Sequence, residues 1–206
     1  MAITRRTAIV SAGAALAAGQ LIASPAVAKD RTLITVRAKP GAINGTLTCN
    51  SKSYLCAVGR SGIVRHKFEG DGGTPTGVFG LREVRYRPDR IGKPPVTALP
   101  VYRSKANDGW CDDPADPNYN RLVPLPYQTD AESMWFDSHA YDLLAVIGYN
   151  DSPAVPGAGS AIFLHVAHSL EQGYGSTAGC VALKMEDLVA VLAACTSGSR
   201  IDIRQG

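Results

Sequence analysis

Apolar and polar residues alternate with a period of two along most of the patterned stretches of the chain, and with the period of a helix along one. Thr32, Leu33, Ile34, Thr35 and Val36 have strand-like composition. Residues 45–49 and 54–58 read as two further strands, and the polar Asn50-Ser51-Lys52-Ser53 between them favours a turn. Residues 70–77 form a loop rich in Gly and Pro, and 78–84 return to strand. Residues 87–126 are dense in Pro, Asp and Asn and are expected to be long ordered loops carrying an aromatic plug, Trp110. The apolar runs 141–149 and 160–166 predict core strands, with a polar loop at 168–175 and a short strand at 180–183. Residues 185–194 have helical spacing, with Leu188, Val189 and Leu192 on one face, while Lys184 ahead of them lacks a capping side chain. Residues 200–204 alternate around Ile201 and Ile203 and read as an edge strand. No repeat or linker divides this pattern. It predicts one mainly β domain, a sandwich or barrel, with a few short helices.

Composition fits that picture: the chain has 206 residues, 45% hydrophobic and 19% charged. The net charge is +3, of which Arg5 and Arg6 supply two. No stripe of Lys and Arg forms, so nucleic acid is not an expected partner.

The first residues change the picture more. Arg5-Arg6 precede an uncharged apolar run from Ala8 to Ala23, which ends in Ser24, Pro25 and the small-residue triplet Ala26-Val27-Ala28. A basic head, an apolar middle and an A-x-A end predict a secretory leader over residues 1–28, of twin-arginine type, with a mature domain over 29–206. The run is Ala/Gly-rich and shorter than the ~20 residues of a typical span, so no stable membrane span is expected after cleavage. The expected location is the periplasm or cell envelope. An oxidising space favours disulfides, yet five cysteines cannot all pair within the chain. Cys49, Cys56, Cys111 and Cys195 could form two bridges, one or none. Cys180 has the most unusual surroundings.

Cys180 ends the segment Ser176-Thr177-Ala178-Gly179-Cys180, between a loop and a buried strand. A thiol becomes a good nucleophile as thiolate, and a nearby His can take its proton. His165 ends an apolar strand fifteen residues earlier, a distance that suits two adjacent strand ends joined by a loop. Gly179 would let the backbone approach a substrate closely, and the amides of Gly179 and Cys180 could donate to a developing oxyanion. On spacing alone, a buried structural thiol and a satisfied core imidazole are the simpler explanation of the pair.

Two motifs add to this. His165 followed by Thr177-Ala178-Gly179-Cys180, with Thr74-Pro75-Thr76-Gly77-Val78-Phe79 upstream, resembles the YkuD-type L,D-transpeptidase catalytic-domain family. The segments around Trp110-Cys111-Asp112-Asp113 and Tyr119-Asn120 resemble one bacterial branch of it. The resemblance implies a cysteine acyltransferase that makes 3-3 type cross-links in peptidoglycan. Cys180 would attack the L,D amide of a tetrapeptide stem, release terminal D-Ala and hold a thioester, with His165 as general base and then acid. The Val166 carbonyl would orient His165. A diamino-acid amine of a second stem would accept the acyl group; with water as acceptor the enzyme would be an L,D-carboxypeptidase. It implies no metal or organic cofactor, a monomer, peptidoglycan stem peptides as partners, and carbapenem-type inhibitors. Many members carry His where Ala178 stands and Arg where Ala182 stands, so contacts from those side chains are not expected here.

Thr177, Tyr149 and Trp110 are the remaining substrate-binding candidates. Tyr149 either brings a hydroxyl to the oxyanion or serves packing and a turn contact. Trp110 either walls the cleft or fills the core. His168 completes an HxxH with His165, but no acidic residue lies close enough in sequence to complete a zinc set. Asp71 is expected to cap its own turn, and His139 to sit in a solvated loop.

Overall fold

The computed structural model describes residues 33–206; the expected leader over 1–28 lies outside the described residues. In chain order the strands are β1 (Leu33–Ala38), β2 (Asn44–Cys49), β3 (Lys52–Ala57), β4 (Ile63–Val64), β5 (Thr74–Pro75), β6 (Gly77–Tyr86), β7 (Val101–Arg103), β8 (Asp108–Cys111), β9 (Leu122–Pro124) and β10 (Ala131–Ser133). They continue with β11 (Leu143–Ile147), β12 (Phe163–Val166) and β13 (Val181–Leu183); α1 (Met185–Ala193) follows, then β14 (Arg200–Gln205). Neighbours in the main sheet run β11-β12-β13-β3-β2-β1-β14-β6-β7, and a further pairing of β6 with β11 closes it into a barrel. The mainly β expectation holds, as a closed sheet with one helix among the described residues.

Strand alternation sorts the side chains between two sides of the barrel wall. Leu143, Ala145 and Ile147 of β11, Leu164 and Val166 of β12, and Val181 and Leu183 of β13 join Ile34, Val36 and Leu47 in the main core. Their neighbours in sequence face the other way. Leu144, Val146, Phe163 and Cys180 form a second buried cluster with Trp110, Met134 and Tyr141. Leu164 and Phe163 are both fully buried, on opposite faces of one strand. Burial of such a side chain contributes about 1.5–3 kcal/mol, so both faces of β12 stabilise the fold.

Three expectations are corrected. The helix buries Leu188, Val191 and Leu192, whereas Val189 is exposed: the buried stripe lies one position round from the expected one. Its Lys184 N-cap makes no side-chain capping bond. Strand β14 is no edge strand, since it pairs in parallel with β1 and antiparallel with β6. Closure of the barrel surrounds a strand whose own alternation resembles that of an edge. Finally, the stretch 87–126 is not purely loop. It contributes β7 to the main sheet, and β8 and β9 form a small sheet in the order β10-β8-β9. These strands are three or four residues long and contain Gly, Pro and Asp, so no alternation announces them.

The small sheet enters and leaves at one point of the barrel. Tyr86 at the end of β6 pairs with Leu143 at the start of β11, so residues 87–142 form the connection of one antiparallel pair. A buried ion pair between Arg85 on β6 and Asp108 on β8, at 3.2 Å, fastens it down.

Candidate active site

Strands β12 and β13 run parallel, with Leu164 opposite Val181 and His165 opposite Ala182. Cys180 therefore lies level with Phe163, and its side chain shares the outer face with His165, two positions along. Both residues line one cavity of about 500 Å³, with Lys67, Glu69, Asp112, Glu132, Tyr141 and Thr177 among the other wall residues. Among the described residues, that wall includes neither Tyr149 nor Trp110. Tyr149 donates its hydroxyl to the Ala158 carbonyl and packs edge-on against Phe79 at 5.5 Å. Trp110 is buried against Phe163, ring centroids 5.1 Å apart. Each takes the packing alternative.

His165 and Val166 are joined by a bond of 2.9 Å from Nδ1 to the Val166 carbonyl. A carbonyl only accepts, so the proton sits on Nδ1 and Nε2 keeps its lone pair. Burial pushes the imidazole down to about 4, opposed by the bond to Val166. Burial pushes the Cys180 thiol up to about 12, and the charge of Glu132 adds to this; the Phe163 N–H, the Tyr141 hydroxyl and Lys67 act the other way. At neutral pH the resting pair is thus a thiol and a neutral ring. The thiol donates to the Ala161 carbonyl at 3.2 Å, and Sγ accepts from the Phe163 N–H at 3.3 Å.

The turn before the thiol is tied from several sides. Thr177 Oγ1 donates to the Cys180 carbonyl at 2.7 Å and accepts from the Gly179 N–H at 3.1 Å. Thr74 Oγ1 also donates to the Cys180 carbonyl, at 3.3 Å, and accepts from Gly59 N–H at 2.8 Å. Thr74 is fully buried. The two sequence motifs therefore meet at one peptide group. Gly179 has φ +148°, and a Cβ there would stand 3.0 Å from both the Gly73 carbonyl oxygen and Ile162 Cδ1.

Several residues of the site were not singled out from the sequence. Asn120 Oδ1 accepts from Trp110 Nε1 at 2.8 Å and from Ala161 N–H at 3.0 Å. Its Nδ2 donates to the carbonyls of Tyr149 and Asn150 at 3.0 and 2.8 Å. It thereby joins the small sheet to Ala161, whose φ of +52° is a left-handed conformation that alanine seldom adopts. The only signal in the sequence was the Tyr119-Asn120 resemblance. Tyr141 sits just before β11. Its hydroxyl donates to Glu132 Oε1 at 2.9 Å, and the residue shares the second buried cluster with Cys180. Burial, with Asp112 and Glu69 adding to it, pushes Glu132 up to about 7 against the Tyr141 bond.

Among the described residues no Cys is bridged, so all five stand as thiols. Asp71 accepts from its own turn, from Phe68 N–H at 3.0 Å and Gly73 N–H at 2.8 Å, and from Lys67 at 2.7 Å. Burial alone would raise its carboxyl, and these bonds hold it below the ordinary value. His139 is exposed and sits 2.6 Å from Asp142. His168 lines the cavity beside His165.

Residues 42–203 match the model of the L,D-transpeptidase catalytic domain, YkuD type. The chain belongs to that family. Among solved structures it is similar to L,D-transpeptidase 1 of Mycobacterium tuberculosis, at 14% identity and a TM-score of 0.36, over 85% of this chain and 63% of that one. The chain thus spans less than two thirds of that relative's length. No curated protein matches. Within the family domain the match covers His165, Thr177 and Cys180, which line one cavity, and Thr74, which bonds the Cys180 carbonyl from below.

Proposed function

We propose that the protein is an exported cysteine L,D-transpeptidase that forms 3-3 type cross-links between peptidoglycan stems. The observation that carries this reading is the pairing of a buried thiol with an imidazole of fixed tautomer on one face of β12 and β13, inside one cavity. His165 Nε2 is free to accept a proton, and the bond to Val166 holds the ring's orientation. Cys180 attacks the carbonyl of the L,D amide in a tetrapeptide stem. The S–C bond forms, the C–N bond to terminal D-Ala breaks, and a thioester remains. His165 passes a proton to the leaving amine. The Gly179 N–H is committed to Thr177, so the amide of Cys180 is the oxyanion donor in this reading. A diamino-acid amine of a second stem then takes the acyl group and frees the thiol.

The cavity suits such an amine. Glu69, Asp112 and Glu132 share its wall, and Asp112 Oδ1 is buried without a hydrogen-bond partner. An amine supplies the donor that Asp112 Oδ1 lacks. Export rests on residues 1–28; among the described residues no helix is long and apolar enough to cross a membrane.

The test is incubation of the mature chain with tetrapeptide muropeptides. Cross-linked dimers and free D-Ala are expected, and none from Cys180→Ala. Tripeptide monomers alone would make the enzyme an L,D-carboxypeptidase. A carbapenem should leave a stable adduct on Cys180, located by peptide mass spectrometry; an adduct elsewhere or none at all would remove the nucleophile assignment.

A further inference from the structure

We infer that Arg60 is the anchor for a carboxylate of the donor stem. This rests on the reading of the cavity as a site for peptidoglycan stems. A tetrapeptide stem ends in the carboxylate of D-Ala, and its side chains can carry others. Among the described residues, Arg60 and Lys67 are the Arg and Lys of the cavity wall. Lys67 is already neutralised: its Nζ lies 2.7 Å from Asp71 Oδ1 and donates to the Phe68 carbonyl at 2.9 Å, with the side chain 5% exposed. Arg60 differs. Among the described residues it forms no ion pair, and its guanidinium makes one hydrogen bond, from Nη2 to the Gly70 carbonyl at 3.0 Å. A guanidinium has five N–H donors in a rigid fork that matches a carboxylate, so most of the fork is left for a ligand.

The side chain is seated. Gly72 has φ +69°, and a Cβ there would stand 2.6 Å from Arg60 Cζ and Nε. Glycine at this position therefore leaves open the berth in which the guanidinium lies. The backbone of Arg60 is tied to the segment that carries the thiol. Its N–H donates to the Thr177 carbonyl at 2.9 Å, and Thr177 N–H donates to the Val58 carbonyl at 3.0 Å. Gly59 pairs with Thr177 in an isolated parallel bridge. Thr177 Oγ1 in turn holds the Cys180 carbonyl at 2.7 Å. A group bound by Arg60 is thus fixed relative to the turn that presents Cys180, which is what positioning a scissile amide requires.

The carboxylates of the wall are engaged elsewhere. Glu69 accepts from the hydroxyls of Tyr119 and Ser160, and Glu132 from that of Tyr141. Asp112 follows strand β8 of the small sheet and keeps its unpaired Oδ1. The cavity thus holds a cation without an acid and an acid oxygen without a donor, on different elements of the wall. The two stems differ in the same sense: the donor brings a carboxylate and the acceptor an amine. Arg60 serves the first and Asp112 the second.

The test is calorimetric titration of the mature Cys180→Ala chain, which binds without reacting. The probes are a tetrapeptide stem and the same stem with a carboxamide in place of one carboxylate, terminal or internal. Removing the anchored carboxylate is expected to weaken binding by about 10–10²-fold, the size of a charge-assisted pair. Arg60→Gln in the same chain should weaken the parent stem by a similar factor, and the sensitive carboxamide should then cost nothing more. Arg60→Lys keeps the charge without the fork and should recover part of the loss. A sensitive terminal carboxamide assigns Arg60 to the leaving D-Ala, and a sensitive internal one assigns it to the part of the stem that stays on sulfur. Unchanged affinity of Arg60→Gln for the parent stem, or additive losses with every carboxamide, would overturn the anchor. Turnover by the chain with Cys180 intact is a separate readout. Coupled losses in binding without release of D-Ala would keep the anchor and overturn the transpeptidase reading; cross-linked dimers with additive losses would do the reverse.

Discussion

Replacing Asn120 with alanine should damage both the fold and the site. The side chain makes four hydrogen bonds at 2.8–3.0 Å and is 8% exposed. Removing it strands two N–H donors, Trp110 Nε1 and Ala161 N, and two carbonyls. A buried unpaired group costs about 1–3 kcal/mol. The donors have no second lone pair to fall back on, so they set the scale at about 3 kcal/mol. Asn120 also sits at φ +60°, where alanine costs about a further 1 kcal/mol. The sum is about 4 kcal/mol, a large part of the stability of a typical domain. The site should suffer with the fold. Ala161 holds φ +52° with its N–H on Asn120, and its carbonyl receives the Cys180 thiol. Urea unfolding followed by tryptophan fluorescence measures the first effect, and iodoacetamide alkylation of Cys180 the second. Asn120→Gly should recover only the backbone share. A loss below about 1 kcal/mol in Asn120→Ala, with unchanged alkylation, would show that Asn120 is not the tie between the small sheet and the thiol.

Stability against pH should show two opposed contributions. His165 is depressed to about 4, so its contribution is present above the unfolded value near 6.5 and is lost as pH falls through 4, up to about 3 kcal/mol. Glu132 is raised to about 7 from 4.5, so its contribution is present at acid pH and is lost as pH rises through 7, by a smaller amount because it is partly exposed. The wild type should be nearly flat between these limits. His165→Gln should lose stability as pH rises and Glu132→Gln as it falls; parallel slopes in urea titrations would contradict the assignment. Gly179→Ala puts a Cβ at 3.0 Å from the Gly73 carbonyl and into φ +148°, so the unfolding midpoint and cross-linking should both fall, and an active variant of unchanged midpoint would remove the close-approach argument. Thiol counting in denaturant should find five free thiols, and the native protein should react first at Cys180. Cys180 lines the cavity and Cys49, Cys56, Cys111 and Cys195 do not, so early labelling at any of those four would be the contrary result.

What the sequence made legible follows physical range. Strands such as β1, β11 and β12 bury one face or both, and their composition states it locally. The thiol, the imidazole and the Thr74 motif were visible because fixed residue types stand at fixed spacing. Asn120 was not, because its four partners come from three separate stretches of chain and no local pattern encodes them. Tyr141 read as one end of an apolar strand; only the approach of β10 gives its hydroxyl a carboxylate. Strand β14 read as an edge because barrel closure is a property of the whole sheet. The small sheet went unread because strands of three or four residues carry too little alternation to register.

Because Tyr86 and Leu143 face each other in the ladder, everything between them is topologically the tip of a hairpin. The barrel itself takes only β7 and a few core side chains, Leu99 among them, from this stretch. The insert brings Glu132, Tyr141 and Asn120 around a thiol that belongs to the barrel. The molecule is therefore a chassis with an exchangeable tool head. Descent can rewrite the cavity wall while the strand pairings of the barrel stay, provided that Leu99, Trp110 and Met134 keep their places in the two buried clusters.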